Sequence, residues 1–209
     1  MNNLLKRTLS SIILLPLVIF SIFEGSYMLI ILTLSFFLVS CYEWLKITKK
    51  KDLRIYGISF LFFSFYTFYE LSLEFTLVYF LISICISTDI GGYVFGKIFK
   101  GPKLTKISPK KTYAGMIGGY FLSLVCLILF ISFIEKQNIT IQFILLTLII
   151  STVSQIGDIT ISYFKRRSKI KDTGKIIPGH GGLLDRIDGM IFAYPFSYLI
   201  MLISFFKVI

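Results

Sequence analysis

Residues 151–190 read STVSQIGDITISYFKRRSKIKDTGKIIPGHGGLLDRIDGM and form a polar stretch within a strongly apolar chain. The mean hydropathy of the whole chain is +0.82, yet four of its six aspartates and its only histidine fall in this stretch. An ionisable side chain inside an apolar segment is costly and therefore indicates a functional site. Asp158 is such a residue, because apolar residues flank it on both sides.

A hydrophobic content of 56% and a charged content of 16% over 209 residues are typical of an integral membrane protein rather than a soluble domain. We predict an all-α fold, a polytopic helical bundle that forms one domain over residues 1–209. Residues 1–74 contribute its N-terminal spans, and residues 75–209 contribute the catalytic spans with both polar motifs. The three cysteines lie in apolar runs without paired spacing, so neither a zinc site nor a disulfide framework is predicted.

Seven apolar runs predict about seven transmembrane helices. They are Leu9 to Phe23, Tyr27 to Tyr42, Ile55 to Tyr69, Phe75 to Phe95, Met116 to Ile134, Ile139 to Phe164 and Ile187 to about Phe206. The first run follows a basic start, as in a signal peptide, but no small-residue cleavage site precedes Glu24, so we interpret it as a span. The first three runs are shorter than the roughly 20 residues that a crossing needs, so flanking residues must complete them.

Basic residues cluster in alternate loops, as the positive-inside rule predicts for a protein with several spans. They lie in the N-terminal segment, near residue 50, from Lys97 to Lys111 and from Lys165 to Arg186. Of the 22 lysines and arginines, only Lys136 and Lys207 fall on the opposite side. This pattern predicts a cytoplasmic N-terminus and an external C-terminus. The net charge of +11 then reflects topology, and nucleic acid is only a weak alternative as a partner.

Carboxylates gather at the cytoplasmic ends of the last predicted spans. Asp158, Ser162 and Lys165 share one helix face, because they are four and seven residues apart. The glycine-rich segment from residue 169 to residue 182 is predicted to be a loop. Asp185 and Asp188 then share a face at the start of the next run. Together with Asp158 they form a candidate oxygen-ligand site for a hard divalent cation.

A second polar block occupies residues 88–119. Asp89, Tyr93 and Gly96 share a helix face, and the glycines allow a backbone or a ligand to approach closely. Ser108-Pro109 breaks the helix, and Thr112 is placed to cap the next one. The lysines of this block are typical of an anionic-lipid contact or of a phosphate site.

Both blocks carry dense motifs. The downstream block contains Gln155-x-Gly157-Asp158, Ser162-Tyr-Phe-Lys165-Arg166, Lys171-Asp172-Thr-Gly174 and Pro178-Gly-His180-Gly181-Gly182-Leu-Leu-Asp185-Arg186-Ile-Asp188. The upstream block contains Asp89-x-x-x-Tyr93-x-x-Gly96 and Ser108-Pro-Lys-Lys-Thr112-x-x-Gly115. With these motifs the chain resembles the phosphatidate cytidylyltransferases, also called CDP-diacylglycerol synthases.

That resemblance implies a nucleotidyltransferase of phospholipid biosynthesis, with CTP and phosphatidate as substrates and CDP-diacylglycerol and pyrophosphate as products. The phosphate of phosphatidate attacks the α-phosphorus of CTP, so no protein nucleophile is needed. The resemblance also implies a bacterial inner-membrane enzyme whose active site faces the cytoplasm among membrane lipids. A homodimer is left open, and no nucleic acid is expected.

The same resemblance implies a role for each motif residue. Asp158 and Asp185 are expected to hold Mg²⁺, with a second cation left open. Catalytic roles are expected for Lys165, Arg166, Asp172, His180, Arg186 and Asp188. Substrate-binding roles are expected for Asp89, Tyr93, Ser108, Lys110, Lys111, Thr112, Ser162, Gly181 and Gly182.

Several alternatives stay open. His180 is either a general base or a turn residue, and Asp172 is either catalytic or part of a surface ion pair. Ser162 has no base spaced to activate it, so hydrogen bonding on its helix face is the better interpretation. For the whole chain, the alternatives are a CTP-dependent polyprenol kinase, an archaeal-type CDP-ether-lipid synthase and a cation transporter. A transporter would place its ion site near the bilayer midplane, whereas these carboxylates are predicted at the cytoplasmic rim.

Overall fold

A computed structural model of the chain describes residues 14, 16–135, 138–177 and 181–203. Its named helices are α1 (Ser26–Ile47), α2 (Lys51–Ser72), α3 (Phe75–Phe99), α4 (Tyr113–Phe130), α5 (Ile141–Arg167), α6 (Leu184–Ile187) and α7 (Met190–Leu202). Residues 16–24 are helical before α1, and a short π-helix, Ile131–Glu135, extends α4. The predicted all-α bundle is therefore confirmed over the described ranges.

Four helical stretches among the described residues are long and apolar enough to cross a membrane. They are Ser26–Ile47, Phe75–Phe99, Tyr113–Ile134 and Ile141–Arg167. The helix α2 has 22 residues but is less apolar, because tyrosines, serines and Glu70 interrupt its hydrophobic sequence. Seven crossings and the sides of the two termini stay predictions, and residues 9–13 and 15 of the predicted first span lie outside the described residues.

The helices α1 and α2 are longer than the apolar runs that predicted them. Each has 22 residues, because the polar residues that follow Tyr42 and those that precede Ile55 are also helical. The flanking residues thus complete both helices, as a crossing of the bilayer requires.

The last predicted span is not one continuous helix where the structure describes it. The helix α6 ends at Ile187, and α7 begins at Met190 after a turn at Asp188 and Gly189. Gly189 packs against α5, and a methyl group added to it would overlap the hydroxyl of Ser154. The helix α7 therefore begins three residues after the predicted start at Ile187, and Asp188 and Gly189 between the two helices keep right-handed helical backbone angles.

The helices α3 and α4 pack closely through glycines, as the spacing of the upstream block predicts. A side chain at Gly91 would overlap the carbonyl oxygen of Gly118. The Cβ of a residue replacing Gly96 would lie 3.2 Å from the hydroxyl of Thr112. Thr112 is the N-cap of α4, since its hydroxyl accepts a hydrogen bond from the N–H of Gly115 at 3.1 Å. This capping prediction is confirmed.

Loops from distant parts of the sequence meet at one end of the bundle. The hydroxyl of Ser168, after α5, donates a hydrogen bond to the carbonyl of Ile47 at the end of α1. In the same region Leu184 of α6 is fully buried in an apolar cluster with Trp44 and Phe65. This packing fixes the start of α6 against α1 and α2, and it is the support on which the polar site is built.

Candidate active site

Asp158 of α5 pairs with a lysine from the loop before α4. Its Oδ2 lies 2.5 Å from Nζ of Lys111, and both side chains are partly exposed. The hydroxyl of Ser162, one turn further along α5, donates to Oδ1 of Asp158 at 3.3 Å. The predicted shared face of Asp158 and Ser162 is confirmed. An acidic side chain in an apolar helix thus has a hydroxyl and an ammonium group as partners.

The loop that carries Lys111 is shaped by its own backbone and by short polar side chains. The N–H of Ser108 donates to the hydroxyl of Thr105 at 3.1 Å, and the carbonyl of Ser108 accepts from the N–H of Lys111 at 3.0 Å. The carbonyl of Lys111 accepts from the N–H of Leu104 at 2.8 Å. These bonds form a compact turn that holds Lys111 beside the cap of α4. Ser108 therefore shapes the loop through these bonds.

Lys165 faces the start of α6 and joins two carboxylates. Its Nζ lies 2.7 Å from Oδ1 of Asp185 and 3.9 Å from Oδ2 of Asp188. All three side chains are largely buried, with exposed fractions of 9% for Lys165, 6% for Asp185 and 11% for Asp188. Lys165 thus lies on the predicted face of α5 but pairs with these residues instead of with Asp158. Asp185 and Asp188 converge as predicted, because three residues of helical chain bring them to one side.

The second oxygen of Asp185 is held by the loop between α5 and α6. Its Oδ2 accepts hydrogen bonds from the N–H of Thr173 at 2.7 Å, the hydroxyl of Thr173 at 3.1 Å and the N–H of Gly182 at 3.0 Å. The N–H of Gly182 thus faces an anion, as a glycine-rich turn suggests, but the anion is a side chain of the protein itself. Gly181 has a φ of +94°, a conformation that favours glycine.

Glu43 of α1 is a site residue that the sequence analysis missed. Its side chain is completely buried. It accepts hydrogen bonds from the N–H groups of Leu183 and Leu184 and from the hydroxyl of Thr173, at 3.0, 2.8 and 2.9 Å. The sequence does carry a signal for a functional role of Glu43. It is an ionisable residue at the end of an apolar run, just as Asp158 is an ionisable residue within one. Thr173 stands in the motif Lys171-Asp172-Thr-Gly174, but no role was predicted for it.

Several other predicted residues are exposed to solvent or lipid. Asp89 interacts electrostatically with Asp158, Lys111 and Arg186. Tyr93 is 68% exposed, and the ammonium of Lys97 lies 5.7 Å from its ring centre. The other exposed members of the predicted set are Asp89, Lys110, Arg166, Asp172 and Arg186. His180 lies outside the described residues.

A basic groove lies between α5 and the loop before α4. It has a volume of about 580 Å³ and is lined by Lys106, Ile107, Pro109, Tyr163, Arg166 and Arg167. Two of its arginines are held in place. Arg166 donates to the carbonyl of Ile170 at 3.0 Å, and Arg167 donates to the hydroxyl of Tyr163 at 3.5 Å. Of these residues only Arg166 was predicted, and the groove suits an anionic ligand.

The carboxylates fit Mg²⁺ in their chemistry and in their number. Their oxygen atoms are the ligands that a hard cation prefers. Within the described ranges no three acidic, histidine or cysteine side chains converge as a complete metal cage. Mg²⁺ does not need one, because it is commonly bound through one or two carboxylates with substrate phosphates and water. Asp158 and Asp185 are therefore suitable ligands, with Lys111 and Lys165 as their cationic partners in this structure.

Comparison with known proteins identifies the family. A sequence model described as the cytidylyltransferase family matches residues 53–204. A phosphatidate cytidylyltransferase of Brucella suis biovar 1 (strain 1330) is 37% identical over 177 residues, which cover 81% of this chain and 65% of the relative. A phosphatidate cytidylyltransferase of Staphylococcus aureus (strain COL) is 41% identical over 150 residues, which cover 71% of this chain and 56% of the relative. The chain thus spans less than two thirds of the length of these curated relatives.

The matched range 53–204 contains the lysines and aspartates of both ion-pair groups, from Lys111 to Asp188. Both ion pairs therefore lie within the part of the chain that matches the family. On this match, the chain belongs to the cytidylyltransferase family.

Proposed function

We propose that this chain transfers CMP from CTP to phosphatidate, giving CDP-diacylglycerol and pyrophosphate. Family membership and the similarity to two phosphatidate cytidylyltransferases support this proposal. The observation that carries it is the presence of two ion pairs, Lys111 with Asp158 and Lys165 with Asp185, together with a basic groove formed by α5 and the loop before α4. Phosphoryl transfer needs such an arrangement, because it depends on positioning and on neutralising negative charge.

In the proposed reaction the phosphate of phosphatidate supplies the nucleophile. An oxygen of that phosphate forms a bond to the α-phosphorus of CTP while the bond to the β-phosphate oxygen breaks, and pyrophosphate leaves. The protein then has to orient two anions that repel each other and to neutralise charge on the leaving group. Lys111 and Lys165 would perform this task, since each ammonium contacts a carboxylate that a substrate phosphate can replace.

Asp158 and Asp185 would hold Mg²⁺. When bound, Mg²⁺ supplies Lewis-acid neutralisation of phosphate oxygens. Asp188 and Asp89 lie near enough to interact electrostatically with Asp158. A second cation is compatible with this number of carboxylates.

The groove would bind the phosphates of a substrate. Its volume of about 580 Å³ lies in the range of small-molecule sites. Arg166 and Arg167 offer planar guanidinium groups, which match phosphate oxygens in pairs. Lys106 adds a third positive charge on the opposite wall.

The protein is proposed to lie in a bacterial membrane with its active site facing the cytoplasm. The apolar helices support an integral membrane protein, and the bacterial relatives support the bacterial cell (inner) membrane as its location. The basic loops lie at the same end of the bundle as the site, so the positive-inside rule favours an active site that faces the cytoplasm. Phosphatidate would then enter from the surrounding lipid. A homodimer is compatible with the exposed apolar helix faces.

One assay tests the proposal against its alternatives. Purified protein is incubated with radiolabelled CTP, Mg²⁺ and phosphatidate, and parallel reactions contain an unsaturated ether-linked phosphatidate or a polyprenol. The proposal predicts labelled CDP-diacylglycerol with phosphatidate and loss of product on adding EDTA. Preference for the ether lipid would favour the archaeal-type activity, and a phosphorylated polyprenol would favour the kinase. Absence of any product, with Mg²⁺ flux into proteoliposomes, would favour the transporter.

A further inference from the structure

Glu43 lies outside the range matched by the family model and outside every motif of the sequence, yet it is buried in the wall of the site. We infer that Glu43 is a positioning residue that holds Asp185 in place through Thr173 and the first turn of α6. This inference rests on the proposed function for its consequence in catalysis. Its structural part is independent of that function.

The start of α6 is anchored by a side chain of α1. The helix has four residues, and no side chain of its own N-terminal segment caps it. The N–H groups of Leu183 and Leu184 instead donate to the two carboxylate oxygens of Glu43, at 3.0 and 2.8 Å. A helix start leaves N–H groups without partners in the helix, and a carboxylate is a strong acceptor for them. A side chain 140 positions earlier in the sequence therefore anchors this turn.

Thr173 lies between the carboxylates of Glu43 and Asp185. Its hydroxyl is 2.9 Å from Oε2 of Glu43 and 3.1 Å from Oδ2 of Asp185. A hydroxyl carries one proton and donates it to one acceptor at a time, so the two acceptors are coupled through it. The N–H of Thr173 donates to Asp185 at 2.7 Å and does not contact Glu43. A displacement of Thr173 would therefore move a hydrogen-bond donor of Asp185.

Two glycines of the loop leave the space that the Glu43 carboxylate occupies. A Cβ at Gly174 would lie 2.6 Å from Oε1 of Glu43. A Cβ at Gly182 would overlap the hydroxyl of Thr173 and would lie 2.5 Å from Oε2 of Glu43. Such distances are too short for real atoms, so any side chain here would push the carboxylate away. These two motif positions thus require glycine, because the loop wraps around a carboxylate from α1.

The experiment compares Glu43→Gln and Thr173→Val with the unchanged protein. Glu43→Gln keeps the shape of the side chain but replaces one acceptor oxygen by an NH₂ donor. Thr173→Val keeps the shape but removes the hydroxyl link, while Thr173→Ser retains it. Ser40→Ala is the matched control on α1, because Ser40 is also completely buried and its hydroxyl has no hydrogen-bond partner among the described residues.

The first measurement is amide hydrogen exchange of the purified protein in detergent, followed at Thr173, Leu183 and Leu184. Glu43→Gln should accelerate exchange at all three amides by about tenfold or more, because opening frees donors that are protected in the native state. The Thr173 amide decides the question, since its acceptor is Asp185. If it keeps its protection while Leu183 and Leu184 lose theirs, Glu43 is only a cap of α6 and the inference is overturned.

The second measurement is turnover of CTP with phosphatidate per folded molecule. Glu43→Gln and Thr173→Val should lower kcat by about 10- to 100-fold, as removal of the partners of a metal ligand does. Ser40→Ala should not lower it, and Thr173→Ser should retain more turnover than Thr173→Val. Unchanged kcat in both Glu43→Gln and Thr173→Val would overturn the inference. If the protein without substitutions shows no turnover, the proposed function is refuted instead. Hydrogen exchange of the Thr173 amide would still decide the role of Glu43.

Discussion

The Nζ of Lys165 lies 2.7 Å from Oδ1 of Asp185 and 3.9 Å from Oδ2 of Asp188, so one ammonium group forms ion pairs with two carboxylates. These side chains are almost completely shielded from water, which strengthens their attraction. The cluster joins the end of α5 to the segment that begins α6. It therefore links the stability of the bundle to the position of a proposed metal ligand.

Removing the charge of Lys165 should destabilise the protein. Lys165→Gln would leave two buried carboxylates without their cation, and breaking a buried pair from one side typically costs about 3–5 kcal/mol. Thermal unfolding in detergent, followed by circular dichroism, measures this effect. The matched control is Lys175→Gln, because Lys175 is exposed. The additional change Asp185→Asn should restore part of the lost stability but no activity. Equal melting temperatures of the two single lysine variants would contradict the prediction.

Asp158 and Asp185 should both be needed for nucleotide transfer. Asp158→Asn and Asp185→Asn each keep the shape and one oxygen but lose the charge that a cation needs, so each should abolish turnover. The double variant should be no worse than either single one, because residues that act as a unit are not additive. The measurement is the dependence of the residual rate on Mg²⁺.

Asp172→Asn is the comparison for these variants and should have a milder effect, because Asp172 is exposed. A variant of Asp158 or Asp185 with near-normal turnover at ordinary Mg²⁺ would remove that residue from the metal site. If both behaved in this way, the shared-cation proposal would be lost.

Two adjacent glycines of α3 should respond differently to the same substitution. Gly91→Ala would push a methyl group into the carbonyl of Gly118, and overpacking of this kind costs about 1–3 kcal/mol. Gly92→Ala would place its methyl group 3.7 Å from the carbonyl of Gly115, an ordinary contact. It should therefore be neutral, or stabilising by about 0.5–1 kcal/mol, because alanine favours a helix. Melting temperatures of the two variants in detergent provide the test, and a reversed order would refute the packing described for α3 and α4.

The basic loops should lie in the cytoplasm. A cysteine introduced at Lys103, in a protein without its native cysteines, should resist a membrane-impermeant maleimide added to intact cells. A cysteine at Glu74, between α2 and α3, should react with it. The physical reason is the retention of lysine-rich loops on the cytoplasmic side. A reporter fused after Ile209 should read as external if seven spans are correct. Labelling of both cysteines from the same side would contradict the proposed topology.

Properties that depend on neighbours in sequence were predictable. Hydropathy indicated helices, and the spacing of Asp158 and Ser162 placed them on one face, where the structure has them in hydrogen-bond contact. Thr112 was recognised as a helix cap because such a cap acts over three residues. These inferences succeed because helical periodicity and capping are local, and because apolar composition is a property of each segment by itself.

The partners of the charged groups were decided by the tertiary structure alone. The sequence placed Lys165 on the face of Asp158, yet its ammonium contacts Asp185, and Lys111 takes the place beside Asp158. Glu43 reaches Leu184 across 141 positions of sequence. No local pattern encodes such a contact, because it depends on how helix packing brings the end of α1 to the start of α6. The sequence by itself thus determined the helices, the polar residues and the family resemblance, whereas packing decided which carboxylate meets which donor.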